Sequence, residues 1–324
     1  LLYFLIQWQG YILGLILYIG AFNAISYLLK AVLNLEVMGG GDEFFFFDTE
    51  KNLLNIVAFH RYAKMTDVDE FRNTMLKRAC KFPRLKSKVT KFLGKFMLKE
   101  QSDAEMMASI NRTMPVISDI HNERQLADFM AKEQSYRLPL DELQWRVYFV
   151  PDYRPDESLF VYKVHHSLAD GIANILFFND MTDNPTIEGY PNLMVRLSFI
   201  QNLLIKLALP FYINYLSFKM LFLLPKERNG FKNDGIIAKL SSHKNVDFVP
   251  DIDLNDVKKR ANELTTDSVR VTINDVLMTV LSKSIKDYLD EHTSDKDTKF
   301  VRMACPFSLR PPPQSLGDYS FDNQ

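Results

Sequence analysis

The chain opens on an uninterrupted apolar pattern. Residues 1 to 29, LLYFLIQWQGYILGLILYIGAFNAISYLL, contain no charged side chain. About 20 apolar residues suffice for a helix to cross a bilayer, so the run predicts a transmembrane helix with room for tilt. Trp8, Tyr11 and Tyr27 are the amphipathic aromatics favoured at membrane interfaces. The run exceeds the apolar region of a signal peptide, and no small-residue cleavage site follows it. A buried helix of a soluble protein has the same pattern. Lys30 alone does not fix an orientation.

Three glycines in MGGGDEFFFFDTE (38 to 50) then break the pattern. LLNIVAFHRY predicts a strand. TDVDEFRNTMLKRACKFP predicts a helix with Thr66 and Asp69 as a capping box, Phe71, Met75 and Ala79 on one face, and Pro83 closing it. Leu126, Phe129 and Met130 give a helix near Asn122 to Ser135 its apolar face. LQWRVYFVPDYRPDESLFVYKVHH predicts two strands joined at RPDE, and GIANILFFNDM takes helical spacing through Ile172, Leu176 and Phe177. A second apolar region, 194 to 225, is interrupted by Lys206, Pro210 and Lys219, which favours an interfacial or partly embedded helical hairpin over a second span. After a polar linker (226 to 250), DLNDVKKRANEL and TINDVLMTVLSKSIKDYL predict amphipathic helices, and KFVRMACPFSLR a strand ended by PPP. Strands and helices mix without strict alternation, so the expected class is α+β and layered. The expected division is 1–29 transmembrane helix, 42–190 first subdomain, 191–245 apolar membrane-associated segment and linker, and 246–324 the start of a second subdomain. No internal repeat or low-complexity tract is present.

Composition changes this picture little. The chain has 324 residues, 39 Lys+Arg against 40 Asp+Glu and 47% hydrophobic residues, enough for one large or two ordinary domains. A net charge of −1 gives no reason to expect nucleic acid as a partner. Cys80 and Cys305 lie far apart and read as free thiols in a reducing compartment. The chain begins with Leu and ends on YSFDNQ, so a fragment open at both ends is expected.

Candidate chemistry concentrates in YKVHHSLADGIANILFF, 162 to 178. Strand alternation puts Phe160, Tyr162, Val164 and His166 on one apolar face, and Val161, Lys163 and His165 on the other. His166 is therefore expected to point inward and His165 to make a supporting hydrogen bond. Three readings are open. Adjacent histidines diverge, which disfavours a shared metal ion. As structure, Asp170 caps a helix beginning at Gly171 and the histidines are satisfied polar groups. As catalysis, His166 is a general base whose loop Asp170 organises.

KVHHSLADG resembles the His-His-x-x-x-Asp-Gly signature of condensation-type, coenzyme-A-dependent acyltransferases. The wider context is similar to the wax ester synthase/diacylglycerol acyltransferase family. Trp145 stands in a strand before the signature (LQWRVYFV), Asn274 and Asp275 open a later helix (TINDVLMTVL), and Arg310 ends a Pro-x-x-x-Arg strand (PFSLRPPP). The resemblance covers roughly 42 to 324. It implies a chloramphenicol-acetyltransferase-like fold of two α/β sandwich halves with a tunnel between them. His166 would sit mid-tunnel, with acyl-CoA and an alcohol entering from opposite mouths. His165 and Gly171 would support it, and Asp170 would be structural, paired with Arg310. Family chains continue with most of a second sandwich, so much of the tunnel's other wall is expected to lie outside this sequence.

The implied chemistry suits an imidazole. A thioester is already activated, so the enzyme mainly removes a proton from an alcohol, a task for a group titrating near about 6.5. A Ser167 nucleophile would need its own base and an orienting group. The implied reaction is transfer of a long-chain acyl group to a fatty alcohol, diacylglycerol or sterol, with acyl-CoA as co-substrate, no other cofactor and no metal. The implied partners are acyl-CoA, the lipid acceptor and membrane lipid, with the catalytic part facing the cytosol (at the endoplasmic reticulum in a eukaryote). A catalytically silent scaffold with the same fold is the second class of function. Residues 77 to 99 carry nine basic residues and no acidic one. They read as a surface for anionic lipid or coenzyme A phosphates, or as a solvated helix end and strand. MGGGDE lacks the Gly-Lys-Ser/Thr ending of a phosphate loop.

Overall fold

A computed structural model of the chain describes residues 2–65, 67–186, 198–223, 230, 241–293, 301–303 and 313–323. It divides into two compact units, one of Leu1–Pro191 with Ser242–Asp247 and Pro312–Gln324, the other of Asn192–Ser241 and Phe248–Pro311.

The first unit begins with a long helix, α1 (Leu2–Leu33), whose stretch Leu13–Leu33 is long and apolar enough to cross a membrane and has none of its residues buried. Asn34 turns the chain in the left-handed region (φ 52°), a conformation Asn tolerates better than most residues, and bonds the Glu100 carbonyl. A short strand follows, β1 (Leu35–Val37). It pairs with β4 (Lys95–Glu100), which pairs with β3 (Ser87–Phe92), in an antiparallel sheet of order β1-β4-β3. In the stretch 77 to 99, Val89, Met97 and Leu98 turn inward while Lys77, Lys81, Lys91, Lys95 and Lys99 lie outside, an arrangement that both readings of the stretch allow.

A second antiparallel sheet runs β2 (Asn55–Ala63), β6 (Glu157–His165), β5 (Trp145–Arg154). The β5–β6 turn falls at Pro155 and Asp156, and a bulge interrupts the register between Val150 and Arg154. As the central strand β6 has partners on both edges, and Ser158 through His165 are all buried. One face, with Trp145, Phe149, Phe160 and Tyr162, packs on α3 (Val68–Ala79) and α7 (Gly171–Asn179). There Phe71 stacks on Phe160 at 4.2 Å, and Phe178 lies 4.2 Å from Tyr162. The opposite face carries Tyr148 and Lys163 and meets α6 (Glu123–Gln134) through Phe129 and Glu133. Burying each such aromatic stabilises the fold by about 1.5–3 kcal/mol. With helices on both faces, the Lys163 face is interior as well. Lys163 is itself fully buried, donating to the Tyr136 carbonyl (2.6 Å) and to Glu133 (3.2 Å). Burial pushes its amine down to about 8, against the opposing pull of Glu133.

Helix caps differ in detail from expectation. Thr66 lies outside the described residues, and the Asp67 side chain caps α3, accepting from the Asp69 and Glu70 N–H groups. The unit also holds α2 (Gly40–Phe44), a single 3₁₀ turn Phe45–Phe47, α4 (Pro83–Lys86) and α5 (Asp103–Thr113), the last opened by a Ser102–Glu105 capping box.

In the second unit α8 (Phe199–Phe218) is one continuous helix. The hairpin expected for 194 to 225 does not form in its described part, because Pro210 fails to end the helix. Two amphipathic helices follow, α9 (Leu254–Leu264) and α10 (Ile273–His292). Most of the expected strand KFVRMACPFSLR lies outside the described residues, and Val301–Met303 carry no strand.

Candidate active site

Strand β6 ends at His165, where both histidine backbones are tied down. The His165 N–H donates to the Gln144 carbonyl (2.9 Å) and the His166 N–H to that of Leu54 (2.8 Å). The burial order is the reverse of what alternation predicts. His165 is buried at 3% exposure, and His166, one residue past the strand, is half-buried. Alternation holds only while the strand lasts, and β6 has no solvent face to offer.

The His165 ring has a defined tautomer. The Ser167 N–H (3.3 Å) can only donate, so Nδ1 is the acceptor and also takes the Ser167 hydroxyl (2.8 Å). The ring proton therefore sits on Nε2, which faces Asp48 Oδ2 at 3.5 Å, an electrostatic contact rather than a full hydrogen bond. Asp48 is in turn paired with Arg137 at 2.6 Å, its carboxylate shut off from solvent. Burial holds His165 well below the ordinary histidine value, Asp48 opposing and Arg137 assisting. This imidazole stays neutral.

The aromatic run supplies the walls. Phe46 stacks on His165 (4.5 Å, 18°) and Phe45 on His166 (4.2 Å, 17°). The buried Nδ1 of His166 has no hydrogen-bond partner among the described residues. The His165 ring is thus held through Nδ1 by Ser167, while the half-buried His166 ring makes no side-chain hydrogen bond among the described residues.

Behind the histidines the loop is pinned from three sides. Arg84 donates to the carbonyls of Ser167 (3.4 Å) and Leu168 (3.3 Å) and pairs with the buried Asp42 at 2.7 Å. Asn323 donates to the His166 carbonyl (2.9 Å) and to Asp42 (2.7 Å). Asp170 caps α7, its carboxylate accepting from the Ala173 N–H at 2.8 Å, while Asn174 donates back to the Asp170 carbonyl. The buried Asp42 thus links the two side chains, Arg84 and Asn323, that bond the carbonyls of the loop.

The structure brings together His165, His166, Asp170 and Gly171. Trp145 is a neighbour in the sheet, opposite Val164, with its ring N–H on the Leu85 carbonyl (2.8 Å). It therefore holds α4, and with it Arg84, against the sheet. Gly171 opens α7, and a side chain there would meet nothing within 4 Å. Ser167 has acquired a base and an orienting acid, His165 and Asp48, yet its hydroxyl is completely buried and is not presented to a substrate. Asp275 forms a capping box with Thr272 at the start of α10, beside Asn274, and this bonding holds its carboxyl below the usual carboxylate pKa. Arg310 and Cys305 lie outside the described residues. Sequence reasoning missed Phe45, Phe46, Asp48, Asp42, Arg84 and Asn323. The one signal for the first four was the composition of GGGDEFFFFD, where four consecutive phenylalanines stand between acids. Among the described residues no cluster of three or more His, Cys, Asp or Glu could hold a metal ion.

No protein-family model matches the chain, and no curated protein matches it in sequence. Among solved structures it is similar to a wax ester synthase/diacylglycerol acyltransferase from Marinobacter aquaeolei VT8, at 16% identity over 79% of this chain and 61% of that one, TM-score 0.48. It is also similar to a starter condensation domain of rhizomide synthetase solved in complex with C8-CoA, at 11% identity over 62% and 49%, TM-score 0.42. A condensation domain for chain release from the enacyloxin polyketide synthase is similar at 15% identity over 61% and 41%, TM-score 0.37. The chain spans less than two thirds of the length of each of these proteins.

Proposed function

We propose that the chain carries the histidine site of an O-acyltransferase that moves a long-chain acyl group from acyl-CoA to a lipid hydroxyl, a fatty alcohol or diacylglycerol. The observation that carries the reading is the asymmetry of the two histidines. Burial holds His165 neutral and Ser167 bonds its Nδ1, while His166 lies half-buried on Phe45 with no side-chain hydrogen bond among the described residues. A ring held in that way accepts the hydroxyl proton as the alcohol oxygen bonds to the thioester carbonyl carbon. As the C–S bond breaks, the proton passes from the imidazolium to the departing thiolate. Atoms balance without an acyl-enzyme. Asp170 acts through the loop by capping α7, and α1 anchors the chain in a membrane with the site on the cytosolic side, where acyl-CoA is found.

The test is thiol release from acyl-CoA by the full-length protein, with a long-chain alcohol or a diacylglycerol as acceptor. His166→Ala should lower turnover by about 10²–10⁴-fold, the usual range for a positioned acid–base group. His165→Ala should act first on stability. Equal turnover in wild type and His166→Ala would remove the mechanism. A well-folded full-length protein silent toward every acceptor would instead point to a scaffold.

A further inference from the structure

The β3–β4 hairpin carries an oddity that the site does not use. Its tip is Leu93–Gly94, both with positive φ (49° and 81°). Gly suits that region, whereas a leucine there is disfavoured by its Cβ, and turn chemistry would select Asn, Asp or Gly. Leu93 is also 89% exposed, so it gains nothing from packing within the fold. A large apolar side chain in a strained backbone and in water is disfavoured twice over, unless something outside the fold covers it.

The hairpin adjoins the aromatic run. Phe96 stacks on Phe46 at 4.6 Å, and Lys95 pairs with Glu43 at 3.0 Å. The same run leaves Phe44 and Phe47 exposed at 65% and 71%, beside Phe45, which stacks on His166. An apolar rim of Leu93, Phe44 and Phe47 therefore borders the histidine site. Lys91 and Lys95 flank the tip, within the stretch 77 to 99 that has nine basic residues and no acid. Apolar residues that stand out from a cationic surround fit the interface of an anionic bilayer, where the rings and Leu93 enter the acyl boundary and the lysines meet headgroups. Continuity supports the same occupant, since this sheet follows directly from α1, which is long and apolar enough to span.

We infer that Leu93, Phe44 and Phe47, with Lys91 and Lys95, form a membrane-docking rim that seats the mouth of the histidine site on an anionic lipid surface. That the rim delivers a lipid acceptor to His166 rests on the acyltransferase reading; that it docks does not.

The experiment reads depth and needs no turnover. The full-length protein, with a dansyl-bearing amino acid placed in turn at positions 93, 47 and 116, is reconstituted in vesicles of phosphatidylcholine and phosphatidylserine. Some vesicles carry brominated acyl chains as quencher. Val116 is the control, an exposed apolar residue that follows α5. Quenching at 93 and 47 should exceed that at 116 severalfold and should weaken in phosphatidylcholine alone. Leu93→Asn, which removes the apolar group and suits the left-handed backbone better, should reduce quenching at 47 severalfold with no loss of folding. Equal quenching at all three positions overturns the inference. So does a signal that tracks the protein-to-lipid ratio rather than the quencher, which would make a second copy of the chain the occupant.

Discussion

His165 is kept neutral by burial, and that choice has a measurable consequence for stability. Its folded value lies below the ordinary one of about 6.5, so below that pH the unfolded chain binds the proton more readily than the folded one. The stabilisation from a neutral His165 is fully present above about 6.5 and is lost as the pH falls from there towards the folded value of about 4. The unfolding midpoint should therefore drop between about pH 6.5 and 4 in the wild type, and His165→Gln should flatten this slope. The same slope in both proteins would mean that other groups carry it. Asp48→Asn should extend the drop to lower pH, because the carboxylate is the group that opposes the shift. The same residues explain why Ser167 is inert in spite of its partners: geometry equips it, and burial withholds it.

The loop and α7 make the element whose ends decide the site. Asp170→Ala removes the side-chain cap of α7 and should cost about 1 kcal/mol, within the usual 0.5–2. A cost of about 3–5 kcal/mol would instead reveal a broken buried ion pair, and a double-mutant cycle with Arg310 would identify the partner. Gly171→Ala makes the complementary measurement. Its Cβ would stand in open space within a helix, so stability should rise by about 0.5–1 kcal/mol. Lost turnover with retained stability would then assign the glycine to substrate approach rather than to folding. Chemical denaturation checks both. Elements with strong periodicity, β2, β5, β6, α3, α6 and α7, were legible because each repeats one local rule. The β3–β4 hairpin was not, since lysines occupy its outer positions and read as a charge run, and β1 is too short to show a period. In α8 the prior weight of Pro210 pointed to a break that the helix does not make.

For the molecule as a whole the expectation is firm attachment to membranes. α1 offers a stretch long and apolar enough to span, and α8 exposes Phe199, Leu207 and Phe211, among other apolar side chains. The protein should remain in the membrane fraction through high-salt and carbonate washes, because spanning does not depend on charge. Removing residues 1 to 36 should weaken attachment, with α8 able to retain part of it. Recovery of the unmodified protein in the soluble fraction after lysis would end the spanning interpretation.

What depends on neighbours along the chain was legible in the sequence: an apolar run of spanning length, a strand that runs into the two histidines, the Asp170 cap, and the spacing of a histidine motif. Which histidine is buried depends on the folded layers. That follows from β6 being the central strand with helices on both faces, a property of partners up to 110 residues away, as the pairing of Asn55 with His165 shows. The tertiary structure also decided that Phe45, Phe46 and Asp48 close on the two imidazoles, and that Arg84, Asp42 and Asn323 hold the loop from below. Local periodicity reports backbone preference and one face of burial. Contacts across long separations are set by how layers stack, and no pattern within a dozen residues encodes them.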